Sequence, residues 1–227
     1  MRDSLKHVIS DALSGFEFFL GESPVVPAEW VTADSACRVA LVLGSNGGGK
    51  SLVRRLLQQE YRRRKVEVIH ISMMSRTSGG MARMMVYGSE EDSSTGQNSA
   101  HTITGAITTC RNRSEDHVLL LDEPDVGMSD EAAMGAGLAL AEFCQNLPEH
   151  TKGVVITSHN RLLVNELLVC QPHYLGVGKN APESALAWVN RKIVPVSPED
   201  LQKDAIAKWR EIEKIINQRE KARNGRA

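Results

Sequence analysis

The sequence predicts an α/β fold in which helices cover both faces of a mainly parallel β-sheet. Short apolar runs that suit buried strands alternate with longer segments whose apolar residues recur at helical spacing. The strongest strand segments are 38–44, 118–122 and 154–158, with helices predicted between and after them. With 227 residues, 41% of them apolar, the chain suits one such domain with a small appendage.

The first half of the chain contains three predicted strands and one helix. The strands lie at 16–20, 38–44 and 66–71. The helix follows the second strand over 50–64, and its apolar residues have helical spacing: Leu52, Val53, Leu56, Leu57 and Tyr61. Segment 73–98 has poor periodicity, so it is predicted to be a mobile or irregular insert.

The second half repeats the alternation and then ends in a charged segment. Helices are predicted at 99–111, 130–147, 162–169 and 199–221, and strands at 118–122, 154–158 and, more weakly, 174–177 and 187–189. We therefore predict one domain over 1–195, followed by a charged helix and basic tail over 196–227. The last nine positions are more basic than the rest of this segment and are candidates for phosphate contacts.

Charge and composition exclude several classes of protein. The formal net charge is −1, so the chain is not a polycation held to nucleic acid by overall charge. The first residues contain no apolar signal segment, and no apolar run approaches the ~20 residues of a membrane span. The four cysteines form no CxxC pair, which favours reduced core thiols over a metal or disulfide site. We expect a cytoplasmic protein with no membrane partner.

A glycine-rich motif for triphosphate binding separates the strand at 38–44 from the following helix. It fits G-x-x-x-x-G-K-[ST] at every fixed position and consists of Gly44, Ser45, Asn46, Gly47, Gly48, Gly49, Lys50 and Ser51. Glycines allow backbone N–H groups to approach phosphates closely, and the helix adds its positive end. Lys50 is then a ligand of the β- and γ-phosphates of ATP, and the Ser51 hydroxyl a ligand of Mg²⁺. The alternative is a chance glycine-rich turn, which the flanking strand and helix disfavour.

Two adjacent carboxylates end the strand at 118–122. Asp122 is a candidate Mg²⁺ ligand, directly or through water, and Glu123 a candidate to polarise the water that attacks the γ-phosphate. Alone, such a pair is commonplace and serves equally well as a cap of the next helix. Together with the glycine-rich motif at 44–51, a phosphate-binding loop or P-loop, the pair is better explained as catalytic.

At this point the sequence resembles that of ABC-type ATPases. The residues Asp122, Glu123, Pro124 and Asp125, with segment 126–130, resemble the Walker B motif and D-loop of that family. A degenerate form of its LSGGQ signature is found in Ser94, Thr95, Gly96 and Gln97, and His159 resembles its switch histidine. Read by themselves, 94–97 is an ordinary helix N-cap and His159 a histidine with local hydrogen bonds.

The resemblance implies a P-loop NTPase fold and an ATP-dependent homodimer. Subunits of that family associate head to tail around ATP, so segment 94–97 would complete the partner's site and His159 would contact the γ-phosphate. The chain departs from transporter subunits, because the stretch from Lys50 to Ser94 is too short for their helical subdomain. It also lacks the usual Q-loop glutamine, for which His70, Ser72 or Arg76 are candidate replacements.

These departures favour the soluble branch of the family, with the SMC and RecF-type ATPases, although no coiled-coil arm is present. Minimal cores of this kind resemble those of phage, repair and defence systems. We therefore expect an ATPase that acts on DNA or on a partner protein such as a nuclease. The alternatives are the ATP-binding subunit of a membrane transporter and a nucleotide-gated binding module with little turnover.

Overall fold

The computed structural model describes residues 4–14, 28–72, 94–178 and 181–224. The strand predicted at 16–20, Arg76 and most of the insert predicted at 73–98 lie outside these residues, as do the last three residues of the basic tail. Side chains of the tail before these positions are likewise not described from position 218 onward.

Six strands form one sheet. They are β1 (Ala28–Val31), β2 (Val39–Gly44), β3 (Glu67–Ser72), β4 (His117–Asp122), β5 (Thr151–Ser158) and β6 (His173–Val177). Their order across the sheet is β1-β6-β2-β5-β4-β3, and only the short edge strand β1 is antiparallel to its neighbour. Strands β2 and β4 are buried along their whole length, as expected when helices cover both faces.

Seven α-helices are present in the described part of the chain. They are α1 (Leu5–Ser14), α2 (Lys50–Arg63), α3 (Thr95–Asn112), α4 (Asp130–Gln145), α5 (Arg161–Leu167), α6 (Ala185–Asn190) and α7 (Pro198–Asn224). Helices α3 to α6 pack on one face of the sheet, around Leu119, Phe143 and Trp188. Helices α1 and α2 pack on the other face, where Ile212 and Ile215 of α7 join them. The predicted α/β architecture is thus confirmed.

The elements differ most clearly from the prediction in four places. Helix α3 begins at Thr95, four residues earlier than predicted, because Ser94 caps it. The strand predicted at 187–189 is wrong: these residues belong to α6, whose N-cap Ser184 accepts a hydrogen bond from the Ala187 N–H. Helix α1 and strand β1 were not predicted, although α1 buries five apolar residues at helical spacing.

The strand order brings the carboxyl ends of β2, β5 and β4 together. Strand β5 lies between the other two, and its residues Thr157 and Ser158 stand in register with Asp122 and Leu43 respectively. Parallel strands end at the same edge of a sheet, so the P-loop after β2 and the carboxylates after β4 both border the end of β5.

Candidate active site

The loop after β2 is built around backbone positions that only glycine satisfies. Gly47 and Gly49 have φ angles of 67° and 115°, which disfavour residues with a Cβ atom. A Cβ on Gly44 would lie 2.3 Å from the carbonyl oxygen of Val177, and a Cβ on Gly48 would lie 2.8 Å from that of Ser45. The glycines therefore fix a tight loop, and Gly49 gives α2 an N-cap without a side-chain hydrogen bond. The N–H groups of such a helix start suit an anion.

Lys50 is buried at the centre of the site. Its Nζ atom lies 2.7 Å from His159 Nε2 and 3.6 Å from Glu123 Oε1, and it also approaches the carbonyl oxygens of Gly44 and Ser45 at 3.4 Å. Burial lowers the pKa of Lys50, and the charge of Glu123 opposes this shift. The hydrogen bond from His159 is the largest cause of the lowered pKa of Glu123. The three groups thus form one electrostatic cluster.

One ring nitrogen of His159 serves two neighbours. Nε2 lies 2.7 Å from Glu123 Oε1 and 2.7 Å from Lys50 Nζ. A protonated Nε2 donates to the carboxylate, whereas an unprotonated Nε2 accepts from the ammonium group, so only one of these hydrogen bonds forms at a time. Both partners of His159 are therefore open to exchange with another ligand.

Asp122 is held from two sides. Thr157 Oγ1 donates a hydrogen bond of 2.7 Å to Asp122 Oδ1, and the guanidinium Nε of Arg54 forms an ion pair of 2.9 Å with Oδ2. The Arg54 contact lacks hydrogen-bond geometry at Nε, so it is an ion pair only. Arg54 stands one helical turn after Lys50, and this spacing is the signal from which its place could have been predicted.

Thr157 and Ser158 at the end of β5, and His159 directly after it, each bind a different carboxylate at the end of β4 or in the loop that follows it. Thr157 binds Asp122, and Ser158 Oγ donates to Asp125 Oδ1 at 2.9 Å, while His159 binds Glu123. The Glu123 backbone is left-handed, with a φ angle of 53°, and its N–H donates to both oxygens of Thr157. These contacts orient the Glu123 side chain toward the P-loop. The alternative that this pair caps the next helix is wrong, because Ser129 is the N-cap of α4.

Segment 94–97 packs against the loop between β4 and α4. The Ser94 hydroxyl accepts from the Gln97 N–H, and the Gln97 side chain accepts from the Ser94 N–H, which is a complete capping box. A Cβ on Gly96 would lie 2.7 Å from the carbonyl oxygen of Gly127, and Thr95 contacts Gly127 in turn. The predicted signature residues therefore pack against the segment that follows Asp125 in the same chain, while Lys50, Glu123 and His159 form the separate P-loop cluster.

Helix α7 reaches the P-loop from outside. Lys208 Nζ donates a hydrogen bond of 2.9 Å to the carbonyl oxygen of Gly47, and the Ala205 side chain faces the same glycine. The charged helix predicted for this region is thus present, and it contacts the loop directly, which the sequence did not indicate.

The residues present fit a magnesium–nucleotide complex. Close contacts leave no room for side chains at Gly44 and Gly48, as expected for a loop whose backbone must face phosphates. Mg²⁺ prefers oxygen ligands and usually takes one or two from protein, the rest from phosphates and water. Ser51, exposed at the start of α2, and Asp122 offer oxygen atoms of this kind. Within the described residues, no cluster of three or more His, Cys, Asp or Glu side chains suits a metal held by protein alone.

Comparisons with known proteins add little to this geometry. No protein-family model and no curated protein matches the sequence. One similar solved structure is Cdc6p from Pyrobaculum aerophilum, with 16% identity and a TM-score of 0.34 over 75% of this chain. The match spans 42% of that protein, so this chain corresponds to less than half of its length. The strand order and the loop between β2 and α2 are those of a P-loop NTPase fold. In the described part of the chain, no helix is long and apolar enough to cross a membrane.

Proposed function

We propose that this protein binds ATP with Mg²⁺ at the P-loop and hydrolyses it. The observation that carries the proposal is the convergence of a buried lysine, a carboxylate and a histidine on this loop: Lys50, Glu123 and His159. A lysine in such a loop binds the β- and γ-phosphates, and a carboxylate beside it can polarise a water molecule.

The contacts suggest how binding prepares the chemistry. Without substrate, Glu123 contacts both the ammonium group of Lys50 and the imidazole ring of His159. When phosphate oxygens take over Lys50 and His159, Glu123 loses both partners and becomes free to accept a proton from the attacking water. Mg²⁺ supplies charge neutralisation of the phosphates, and Ser51 and Asp122 are the residues that would hold it. For Asp122 this requires exchange of the Arg54 ion pair.

We further propose a head-to-tail homodimer of the ABC type that ATP closes. Segment 94–97 caps the 18-residue helix α3 and packs on the Gly127 region, so the two form one continuous surface. In the dimer, this surface would contact the ATP of the partner subunit. We propose that the ATP-driven closure acts on DNA or on a partner protein such as a nuclease.

Lys50→Ala tests ATP binding. The substitution removes a cation that no neighbour replaces, so ATP affinity should be lost while the fold persists. Isothermal titration calorimetry with ATP and Mg²⁺ measures the affinity, and circular dichroism checks the fold. Micromolar affinity in a folded Lys50→Ala protein would refute the P-loop assignment.

Ser94→Arg tests the dimer. A bulky charge at segment 94–97 should leave ATP binding by the single subunit intact and abolish both dimerisation and turnover. Mixing this variant with Lys50→Ala protein should restore part of the activity, because each mixed dimer has one site without either defect. If mixed dimers demonstrably form and stay inactive, the sites are not shared between subunits.

A further inference from the structure

A small cavity lies beside the P-loop, and none of Lys50, Glu123 and His159 lines it. It has a volume of about 250 Å³ and includes Gly44 and Ser45, but none of the residues 46–51 lines it. Its other walls come from the chain after β5 and β6, including Arg161, Arg191 and Lys192. The cavity thus borders the first two residues of the P-loop and none of its other residues.

The charge of this cavity is uniformly positive. Three cations line it, and no carboxylate does. Among the described residues, none of these three side chains forms an ion pair with an acid, whereas Arg64 and Arg113 elsewhere on the surface do. Burial, and then the neighbouring charge of Arg161, lowers the pKa of Arg191, and no carboxylate opposes this shift. Like charges in close proximity without a counter-ion favour the binding of an anion.

Backbone contacts hold two of these cations in place. Arg161 donates to the carbonyl oxygen of Arg191 at 2.5 Å, and Arg191 donates to that of Trp188 at 2.6 Å while stacking 3.8 Å from the centre of its ring. Carbonyl oxygens orient these guanidinium groups without neutralising them. Guanidinium groups with remaining N–H donors match the geometry of phosphate oxygens.

We propose that Arg161, Arg191 and Lys192 bind a phosphodiester of a nucleic-acid backbone next to the ATP site. The neighbouring Ile193 and Val194 are 72% and 70% exposed, and they offer apolar contact to sugars and bases that a free phosphate ion would not use. Lys192 is exposed, so the site is open to a long polyanion. The role of DNA in this inference rests on the proposed function. Arg161, Arg191 and Lys192 are distinct from the basic residues of the tail.

Fluorescence anisotropy with a labelled single-stranded DNA of about 20 nucleotides tests the site. The variants are Lys192→Glu, which changes an exposed residue and should fold, and Arg161→Gln. The control is Lys214→Glu, which makes the same charge change on an exposed lysine of α7. We expect Lys192→Glu to weaken DNA binding about tenfold and to reduce the slope of log K against log salt concentration by about 0.7 for each lost contact. The control should leave both quantities unchanged.

ATP affinity, measured in the same proteins, separates this inference from the proposed function. DNA binding that depends on Lys192 supports the site, whether or not the wild-type protein binds ATP. Failure of the wild-type protein to bind ATP would refute only the proposed function. Equal DNA affinity in Lys192→Glu, Lys214→Glu and wild-type protein overturns the site. The site is also overturned if the wild-type protein binds no DNA. This holds even if the wild-type protein binds inorganic phosphate through Lys192. Loss of ATP affinity in Lys192→Glu without an effect on DNA would assign the cations to the nucleotide instead.

Discussion

Lys50 and Arg54 at the carboxyl end of the sheet and Arg38 at its amino end bind partners of different kinds. At the carboxyl end, charged side chains bind one another: Lys50 with Glu123, and Arg54 with Asp122. At the amino end, Arg38 donates three hydrogen bonds of 2.8–3.0 Å to the carbonyl oxygens of Leu147, Pro148 and Thr151.

This difference indicates which of these contacts can be exchanged for a contact with a ligand. The position of a backbone carbonyl oxygen is fixed by the fold. The hydrogen bonds of Arg38 to such oxygens therefore stabilise one arrangement of the loops. Side-chain ion pairs such as Lys50 with Glu123 can exchange one partner for a ligand of the same charge. Substitutions at the carboxyl end should therefore change turnover more than stability, and those at the amino end should do the reverse.

The largest expected effect is that of Glu123→Gln on turnover. Glutamine keeps the size of the side chain but removes its basicity, and general-base assistance is worth about 10²–10⁴-fold in rate. ATP should still bind, and the ATP-bound dimer should accumulate. The measurements are steady-state ATP hydrolysis and size-exclusion chromatography with ATP. Hydrolysis at the wild-type rate would show that Glu123 has no catalytic role.

The next effect is on stability, at Arg38. Arg38→Met keeps the apolar stem of the side chain but removes the donor that the carbonyl oxygens of Leu147, Pro148 and Thr151 share, although Pro148 keeps a hydrogen bond from the Thr151 N–H. A buried acceptor left unsatisfied costs about 1–3 kcal/mol, so the free energy of unfolding should fall by about that amount. Urea denaturation measures this change, with ATP affinity as the control that should not move. A stable Arg38→Met protein with weakened ATP binding would invert the comparison between the two ends.

The smallest effect is the pH dependence contributed by His173 at the amino end. Its Nδ1 accepts a hydrogen bond of 2.8 Å from the Ala33 N–H, and Nε2 donates to the Cys37 carbonyl oxygen, so the ring is neutral. Burial lowers the pKa of His173 below its ordinary value. The unfolded chain therefore binds more protons below pH ~6.5, and the free energy of unfolding should fall there by up to about 1.4 kcal/mol per pH unit.

Urea denaturation between pH 7.5 and pH 5.5, a range of about one unit on either side of the ordinary histidine pKa, measures this slope. His173→Gln should be less stable at neutral pH and show a shallower dependence on pH. The matched control is His101→Gln, on the exposed side of α3, which should keep the wild-type slope. An unchanged slope in His173→Gln would show that His173 does not contribute to the pH dependence.

Sequence alone predicted the parts of the site that depend on local order. A glycine-rich loop, two carboxylates and a histidine each follow an apolar strand, and strands with helices between them run parallel, so these residues share an edge. It could not predict Thr157 as the partner of Asp122, nor Lys208 as a contact of Gly47, because these contacts depend on register and on helix docking. Short apolar runs such as 187–189 suit strand and helix equally, and there the prediction failed.

The grouping of cysteines at the amino end of the sheet could not be predicted from the sequence either. Their wide spacing in the sequence gave no sign of a cluster, and all four are free thiols in the structure. Yet Cys37, Cys144 and Cys170 line one cavity near the beginning of β2. Tertiary packing brings them together, and no local pattern encodes it.

The pairing of Thr157, Ser158 and His159 with three carboxylates makes the site intolerant of changes in chain length. Adding or deleting one residue within β5 just before Thr157 would turn the side chains of Thr157 and Ser158 to the opposite faces and displace His159 by one position. All three contacts would then be lost together, whereas a point substitution removes only one. Over evolutionary time, insertions and deletions should therefore accumulate elsewhere in the chain, while positions 157–159 and 122–125 keep a constant spacing.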